Sequence, residues 1–284
     1  MKIALIPNLT KKDSFPVATA IYEKLCALGA ECYFEDTYQS TFCCCGDSFY
    51  LPHSEIYKAC DAVIAIGGDG SILHAAKHAA LNQKPILGVS TGFLAFMADL
   101  EKTEVDLITS LVAGEYTLDK RMVLKASLFC ENKLVHTYYC VNDAVFARGQ
   151  ELNLTNLVVE CDGNLVNEYR ADGLVFATPT GSTAYSLSAG GALADPSAEC
   201  VLVTPIASHS LTSRPLIFRA DSVLKVFPSP NVIYNAYFSC DGEGSVLFGK
   251  GSHAVIEKAD ITVDFIKIKQ DTFWDTLYKK FFKN

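Results

Sequence analysis

The sequence has no run of lysine and arginine, no apolar stretch long enough to span a bilayer, no Cys-x-x-Cys pair and no Walker-type phosphate loop. Each absence removes a class of protein. Without a basic run, and with 24 basic against 32 acidic residues and a formal net charge of −8, the chain has no electrostatic footprint for nucleic acid. Apolar runs well short of a span argue against insertion in a membrane. The eleven cysteines are odd in number and unpaired by spacing, which fits a reducing compartment. The opening Met1-Lys2-Ile3-Ala4-Leu5-Ile6-Pro7 is too short for a signal peptide and reads as a first strand. A soluble, cytoplasmic protein is therefore expected. Cys43-Cys44-Cys45 are adjacent and cannot easily place three sulfurs on one tetrahedral ion, and no histidine pair reads as spaced to help. They are read as ordinary thiols in a loop.

Half of the 284 residues are hydrophobic, enough for one large domain or two ordinary ones. There is no internal repeat and no low-complexity segment. Residues 1 to about 100 alternate strand and helix. Lys2–Ile6 is a strand, Phe15–Leu28 a helix capped by Ser14 and closed by Gly29, and Glu31–Phe34 a strand. Residues 36–55 read as an irregular, mobile loop. Ala62–Ile66 and Pro85–Val89 are further strands with a helix between them. That alternation implies a parallel sheet with crossover helices, in which ligands sit at the carboxyl ends of strands. Thr103–Ala113 reads as a connecting helix with Thr103 as cap and Gly114 as stop. From Tyr116 to about Phe248 short β-rich runs alternate with turns, among them Asp162-Gly163-Asn164 and Asp241-Gly242, as in a mostly antiparallel domain. The expected strands are Met122–Cys130, Leu134–Ala147, Asn153–Cys161, Leu165–Arg170, Gly173–Ala177, Cys200–Val203, Ser222–Phe227 and Val232–Ser239. Thr272–Phe282 returns to helical period with Phe273, Leu277 and Phe281 on one face and Trp274 beside them. This last helix is expected to pack back on the first domain. The expected division is 1–100, completed by about 260–284, and 101–260.

The chain is organised around Gly67-Gly68-Asp69-Gly70-Ser71, a glycine-rich turn from an apolar strand into a helix. Its free N–H groups favour phosphate, so Gly67, Gly68, Gly70 and Ser71 are candidate phosphate contacts. A plain phosphate cradle has no use for a carboxylate. Asp69 is either a helix cap or a group that takes a proton or holds a metal beside a phosphate. Gly92-Phe93-Leu94-Ala95-Phe96 follows the next strand, where Phe93 and Phe96 either pack in the core or stack on a base. Asn142-Asp143 is either a β-turn or a grip on a vicinal diol, whose hydroxyls both donate and accept. Thr178 to Gly191 is the densest hydroxyl cluster and suits close contact with a sugar, an amide or a phosphate. Thr204 to Pro215 is a second polar loop, in which His209 is either a pH-sensitive contact or a structural hydrogen bond, and Arg214 either reaches an anion or ties the loop to the domain.

Taken in order, Gly67-Gly68-Asp69-Gly70-Ser71, Gly92-Phe93-Leu94-Ala95-Phe96, Asn142-Asp143, Thr180-Gly181-Ser182-Thr183-Ala184-Tyr185, Thr204-Pro205-Ile206 and Asp241-Gly242 resemble the NAD kinase family over nearly the whole chain. The glycine–aspartate turn is shared with lipid kinases; the Thr-Gly-Ser-Thr-Ala-Tyr stretch is far more specific. Ser71 stands where threonine is usual, Ala95 where glycine is, and Glu243 where glutamine is common. The resemblance implies an α/β domain with a mostly antiparallel β domain, and phosphorylation of the adenosine ribose 2′-hydroxyl of NAD by ATP, other nucleotides or polyphosphate. It implies Asp69 as proton acceptor, with Gly70, His74, Phe93, Asn142, Asp143, Arg170, Asp172, Thr183, Ala184, Tyr185, Ser186, Leu187, Ser188 and Ala207 contacting NAD. Mg²⁺ or Mn²⁺ arriving with ATP is the implied cofactor, with no dedicated protein metal site, and the implied assembly is a homodimer or homotetramer. The alternatives are a lipid-type kinase of the same architecture, which would carry a different second motif, and a non-catalytic NAD(P) sensor, which would gain nothing from Asp69.

Overall fold

A computed structural model describes the chain except residues 43–47, 93–94, 150–152, 211, 231–233 and 283–284. It divides into two units: Met1–Arg121 with Ile261–Asn284, and Met122–Asp260. Residues 101–121 therefore fold with the first unit. Among the described residues no helix is long and apolar enough to cross a membrane.

In unit 1, β1 (Lys2–Pro7), α1 (Ser14–Ala27), β2 (Glu31–Glu35), β3 (Phe49–Leu51), α2 (His53–Ala59), β4 (Ala62–Gly67), α3 (Asp69–Leu81), β5 (Ile86–Ser90), β6 (Leu100–Glu101) and α4 (Ile108–Ala113) follow in chain order. The strands lie parallel in the order β3-β2-β1-β4-β5, with β6 beside β5. All six residues of β4 are buried, as expected of a central strand covered on both faces. Ile3, Leu5, Ile64, Ile66, Leu87 and Val89 form one core with Ile21 and Leu25 of α1 and Ile108 and Leu111 of α4. The chain leaves β1 toward β2 on one side and returns to β4 on the other. The carboxyl ends of β1 and β4 thus flank the topological switch point, where open α/β sheets bind ligands.

Local details differ from the sequence reading. Residue 13, not Ser14, is the N-cap of α1, and Ser14 is buried as its first residue. The stretch 36–55 is not one loop. It holds a 3₁₀ turn, Asp36–Tyr38, then β3 and the start of α2. Aromatic packing ties down its described parts: Phe42 is buried and stacks on Phe34 at 4.4 Å, and the Tyr50 hydroxyl donates to the Phe42 carbonyl at 2.8 Å. Elements this short carry no readable period. Cys43, Cys44 and Cys45 lie outside the described residues. The expected helix from Thr103 is a 3₁₀ turn, Val105–Leu107, running into α4, and Gly114 ends it at φ +76°.

Unit 2 is antiparallel. Its strands are β7 (Thr117–Cys130, which enters the unit at Met122), β8 (Lys133–Cys140), β9 (Asp143–Arg148), β10 (Thr155–Cys161), β11 (Asn164–Ala171), β12 (Gly173–Ala177), β13 (Cys200–Ile206), β14 (Leu216–Arg219), β15 (Leu224–Pro228), β16 (Ala236–Cys240), β17 (Glu243–Phe248) and β18 (Ser252–Lys267), with a one-turn helix α5 (Tyr185–Ser188) after β12. One sheet runs β14-β13-β12-β9-β16-β17; a second layer contains β11-β10-β15-β18 and the β7–β8 hairpin. Phe146, Phe176, Phe238 and Phe248 meet Leu157, Val159, Leu224 and Ile256 in the core. Asp162-Gly163 and Asp241-Gly242 each take two successive positive φ values as two-residue hairpin turns. The expected strand Leu134–Ala147 is broken into β8 and β9 at Val141-Asn142, and the strand expected from Val232 begins at Ala236, residues 231–233 lying outside the described set. The sequence reading missed β14, β17 and the sixteen-residue β18. The last part of β18 belongs to unit 1, where Phe265 registers with Ile86 of β5.

α6 (Phe273–Phe281) lies in unit 1 and opens on a reciprocal capping box between Thr272 and Asp275. Leu277 is buried, while Trp274 and Phe281 stay 53% and 47% exposed, so the helix covers less apolar surface than its pattern promises.

Candidate active site

Asp69 is the first residue of α3, and Gly68, not Asp69, is the N-cap. Its carboxylate does not fold back on its own helix. Oδ1 accepts the Met97 amide at 2.9 Å and Oδ2 the Phe96 amide at 3.1 Å. Both donors lie past the carboxyl end of β5, so a group at the end of one strand is held by the loop after its neighbour. The turn is pinned from β1 as well: Asn8 Nδ2 donates to Ser71 Oγ at 2.7 Å, and a Cβ on Gly67 would stand 2.7 Å from that same Ser71 side chain. Gly68 and Gly70 are different. A Cβ on either meets no protein atom within 4 Å, and neither has a positive φ. The fold leaves that backbone bare, so a ligand can approach its N–H groups closely. His74, one turn further along α3, is exposed.

Unit 2 builds its turns around Asp241. That carboxylate accepts three successive backbone amides, of Val141 and Asn142 at 2.8 Å and of Asp143 at 3.0 Å. This breaks the strand and fixes the Asn142-Asp143 corner. Asp143 is buried, and burial together with the Asp241 charge pushes its carboxyl up to about 7. Asn142 Oδ1 is buried with no hydrogen-bond partner among the described residues. A buried acceptor without a donor costs stability unless something supplies one, and a ligand hydroxyl or amine can.

Asp143 is in register with Ala177, so the hydroxyl-rich loop starts beside this corner. Thr178 Oγ1 donates to the Val141 carbonyl at 2.6 Å and accepts the Gly181 amide at 3.0 Å, and the Thr178 amide donates to the Asn142 carbonyl at 2.9 Å. Gly181 is packed so tightly on this corner that a Cβ would lie 2.1 Å from the Asn142 carbonyl oxygen. Thr180 Oγ1 is another buried oxygen without a partner among the described residues. Beyond it, Thr183, Ala184 and Leu187 are half-buried, and Tyr185 and Ser188 exposed. Ser186 faces inward, 3.0 Å from the Thr204 hydroxyl.

Arg170, Asp172 and Ala207 gather at the other end of β12. The Asp172 amide donates to Ile206, and the His209 amide donates to Arg170, bracketing Ala207. Ala207 sits at φ +44°, a left-handed backbone that non-glycine residues seldom adopt and that often marks functional sites. Asp172 pairs with Arg148 at 2.9 Å. The two groups of expected contact residues in this unit therefore stand about 13 Å apart along a strand rising ~3.3 Å per residue. Phe93 lies outside the described residues. The sequence reading missed Asp241 as the post of the Asn142-Asp143 corner, although Asp241-Gly242 was noted as a turn. It also missed the grouped rings of His53, His74 and His78, 4.5 to 5.9 Å apart; the four-residue spacing of His74 and His78 was the available signal. Among the described residues, no group of three or more His, Cys, Asp or Glu side chains is placed to hold a metal.

A carboxylate at the switch point of a parallel sheet, beside bare glycine amides, joined in one chain to a β unit with buried acceptors unpartnered among the described residues, fits a phosphotransferase acting on a nucleotide-like ligand. Comparison gives the family. Residues 3–116 match the ATP-NAD kinase N-terminal domain and residues 141–268 the ATP-NAD kinase C-terminal domain. The NAD kinase of Ruminiclostridium cellulolyticum is 34% identical over 283 residues, covering 99% of this chain and 98% of that one. The NAD kinase of Carboxydothermus hydrogenoformans is 36% identical over 221 residues, covering 78% and 79%. The crystal structure of yeast NADH kinase complexed with NADH shares the fold, with a TM-score of 0.91 at 22% identity over 100% of this chain and 87% of that one. An Archaeoglobus fulgidus NAD kinase in complex with ATP gives 0.74 at 22% identity, over 99% and 98%. The chain belongs to the NAD kinase family.

Proposed function

We propose that this chain transfers the γ-phosphoryl group of a divalent-metal–ATP complex to the 2′-hydroxyl of the adenosine ribose of NAD, giving NADP, with Asp69 as the proton acceptor. The observation that carries the reading is the hold on Asp69: two backbone amides from beyond β5 fix a carboxylate at the switch point that its own helix does not use as a cap. A carboxylate so placed takes the hydroxyl proton as the bond to phosphorus forms. The bare amides at Gly68 and Gly70, with Gly67 and Ser71 shaping the turn, face phosphate. Asn142 Oδ1 and the Asp143 carboxyl receive ribose and adenine donors. Thr183, Ala184, Tyr185, Leu187 and Ser188 line the dinucleotide, Ser186 anchors their loop, and Arg170, Asp172 and Ala207 contact its far part. Phe93 and His74 complete the contacts drawn from the family resemblance. The working form is a homodimer or homotetramer in the cytoplasm, without nucleic-acid or membrane partners.

The test is incubation with NAD, ATP and Mg²⁺, read by an NADP-specific dehydrogenase, with a diacylglycerol acceptor in parallel. NADP formation is expected. No NADP, or transfer to the lipid instead, overturns the reading.

A further inference from the structure

Lys280 stands on the penultimate residue of α6, 211 positions from Asp69, and the fold of unit 1 brings the two together. Its ammonium lies 3.8 Å from Asp69 Oδ2 and 3.7 Å from the centroid of the Phe96 ring. Phe96 is the residue whose amide donates to that same Oδ2. One aromatic residue therefore positions both groups: its backbone holds the carboxylate and its ring face seats the cation. The ring is itself flanked by Phe273 at 6.2 Å and Phe281 at 6.4 Å, both on α6. At 3.8 Å the ammonium is beyond hydrogen-bond length from the carboxylate, so Asp69 does not take up its three donors. Burial lowers the lysine pKa, partly offset by Asp69. This is a half-desolvated cation, steered by a ring rather than locked in a tight ion pair, beside the base.

We propose that Lys280 is a further catalytic residue, whose ammonium contacts the oxygens of the phosphoryl group in transit beside Asp69; this rests on Asp69 being the base. The geometry sets the distances. A hydroxyl that gives its proton to Asp69 sits about 2.6–3.2 Å from a carboxylate oxygen. The phosphorus it attacks stands about 3–3.5 Å further on. A flexible lysine stem anchored 3.8 Å from that carboxylate oxygen reaches the phosphoryl oxygens between them. In the step, the ribose oxygen–phosphorus bond forms, the bond from the γ-phosphorus to the bridging oxygen breaks and its electrons leave with ADP, and the hydroxyl proton passes to Asp69. Lys280 stays protonated throughout and neutralises charge on the equatorial oxygens.

The experiment compares Lys280→Met, Lys280→Arg, Asp69→Asn and the Lys280→Met/Asp69→Asn double variant, with kcat and KM for NAD and ATP and thermal unfolding of each. Loss of a preorganised contact to developing charge predicts a fall in kcat of about 10²-fold for Lys280→Met, with the NAD KM within about twofold and Lys280→Arg restoring most of the rate. Because the lysine acts on the phosphoryl group and not through the aspartate, the double variant falls further than either single one. If Lys280→Met fails to fold, Lys280→Gln replaces it in the same comparison. A Lys280→Met enzyme within about twofold of the parent in kcat, or Met and Arg variants equally impaired, overturns the proposal. An Asp69→Asn enzyme that keeps its turnover overturns the base reading instead, whatever Lys280 does.

Discussion

Asp69 offers its two oxygens to two backbone amides, and that changes what the simplest substitution does. Asparagine keeps one acceptor and turns the other into a donor, which must then face the N–H of Phe96 or Met97. Asp69→Asn is expected to lower turnover by roughly 10²–10⁴-fold, the range for loss of a general base. It should also cost about 1–3 kcal/mol of stability through the orphaned amide. A coupled assay and a melting curve check the two parts, and near-wild-type turnover would refute the base. Asp143 gives a pH test. Its carboxyl rises from 3.8 to about 7 because it is buried and faces Asp241. In that interval the native chain holds a proton that the unfolded chain has released, so its contribution to stability is full below about pH 4 and lost as pH rises through 7. Asp143→Asn does not titrate, so its melting temperature relative to the parent should climb between pH 5 and pH 8. A gap that stays constant would mean that Asp143 is ionised throughout. At this scale the sequence shows which residue types recur at strand ends, which is how Asp69, Asn142 and Asp143 stood out. It does not show that Asp241 or Lys280 reaches them, because those contacts join positions about a hundred or more residues apart.

The glycine turn and the hydroxyl loop use glycine for opposite reasons, and one methyl group separates them. Gly70 is on α3 with open space around it. Gly70→Ala should leave the fold intact or raise its stability by up to about 0.5–1 kcal/mol, since alanine loses less entropy in a helix, while weakening nucleotide binding by crowding the bare amides. Gly181→Ala should do damage of another kind. Its Cβ meets a backbone oxygen at 2.1 Å, which cannot rotate away, so about 1–3 kcal/mol of overpacking strain is expected together with a raised KM for NAD. Melting curves beside substrate titrations separate the two, and a destabilised Gly70→Ala would show that the turn glycine serves the fold. The same elements show where the sequence is legible. An all-apolar run, a glycine turn and an alanine-rich helix can only be a buried parallel strand feeding α3. β12, Gly173–Ala177, is recovered residue for residue for the same reason: all five are buried. β18 escaped because Glu257, Lys258, Asp260 and Asp264 interrupt its apolar pattern, and β3 and α2 because seven residues or fewer hold too little period to read.

Across the whole molecule the charge balance works against the reaction. ATP and NAD are anions, and the chain carries eight more acidic than basic residues. Near the glycine turn Lys280 is the cation seated beside Asp69, and one ammonium cannot neutralise a triphosphate. Among the described residues no three His, Cys, Asp or Glu side chains converge for an ion. On the function proposed above, the divalent cation is expected to arrive with the nucleotide, held mainly by the phosphate oxygens, as Mg²⁺ commonly is in kinases. Two outcomes follow from one cause. Turnover should vanish in excess EDTA and return with added Mg²⁺ or Mn²⁺, whereas Mg²⁺ without nucleotide should leave the melting temperature unchanged, since a ligand stabilises only the protein that binds it. Mg²⁺ with ATP should raise it, through a stabilisation of about 2.7 kcal/mol at a hundredfold excess over the dissociation constant. A stabilisation by Mg²⁺ alone would place the ion on the protein, and full turnover in EDTA would leave phosphoryl neutralisation to Lys280 and the backbone amides of the turn.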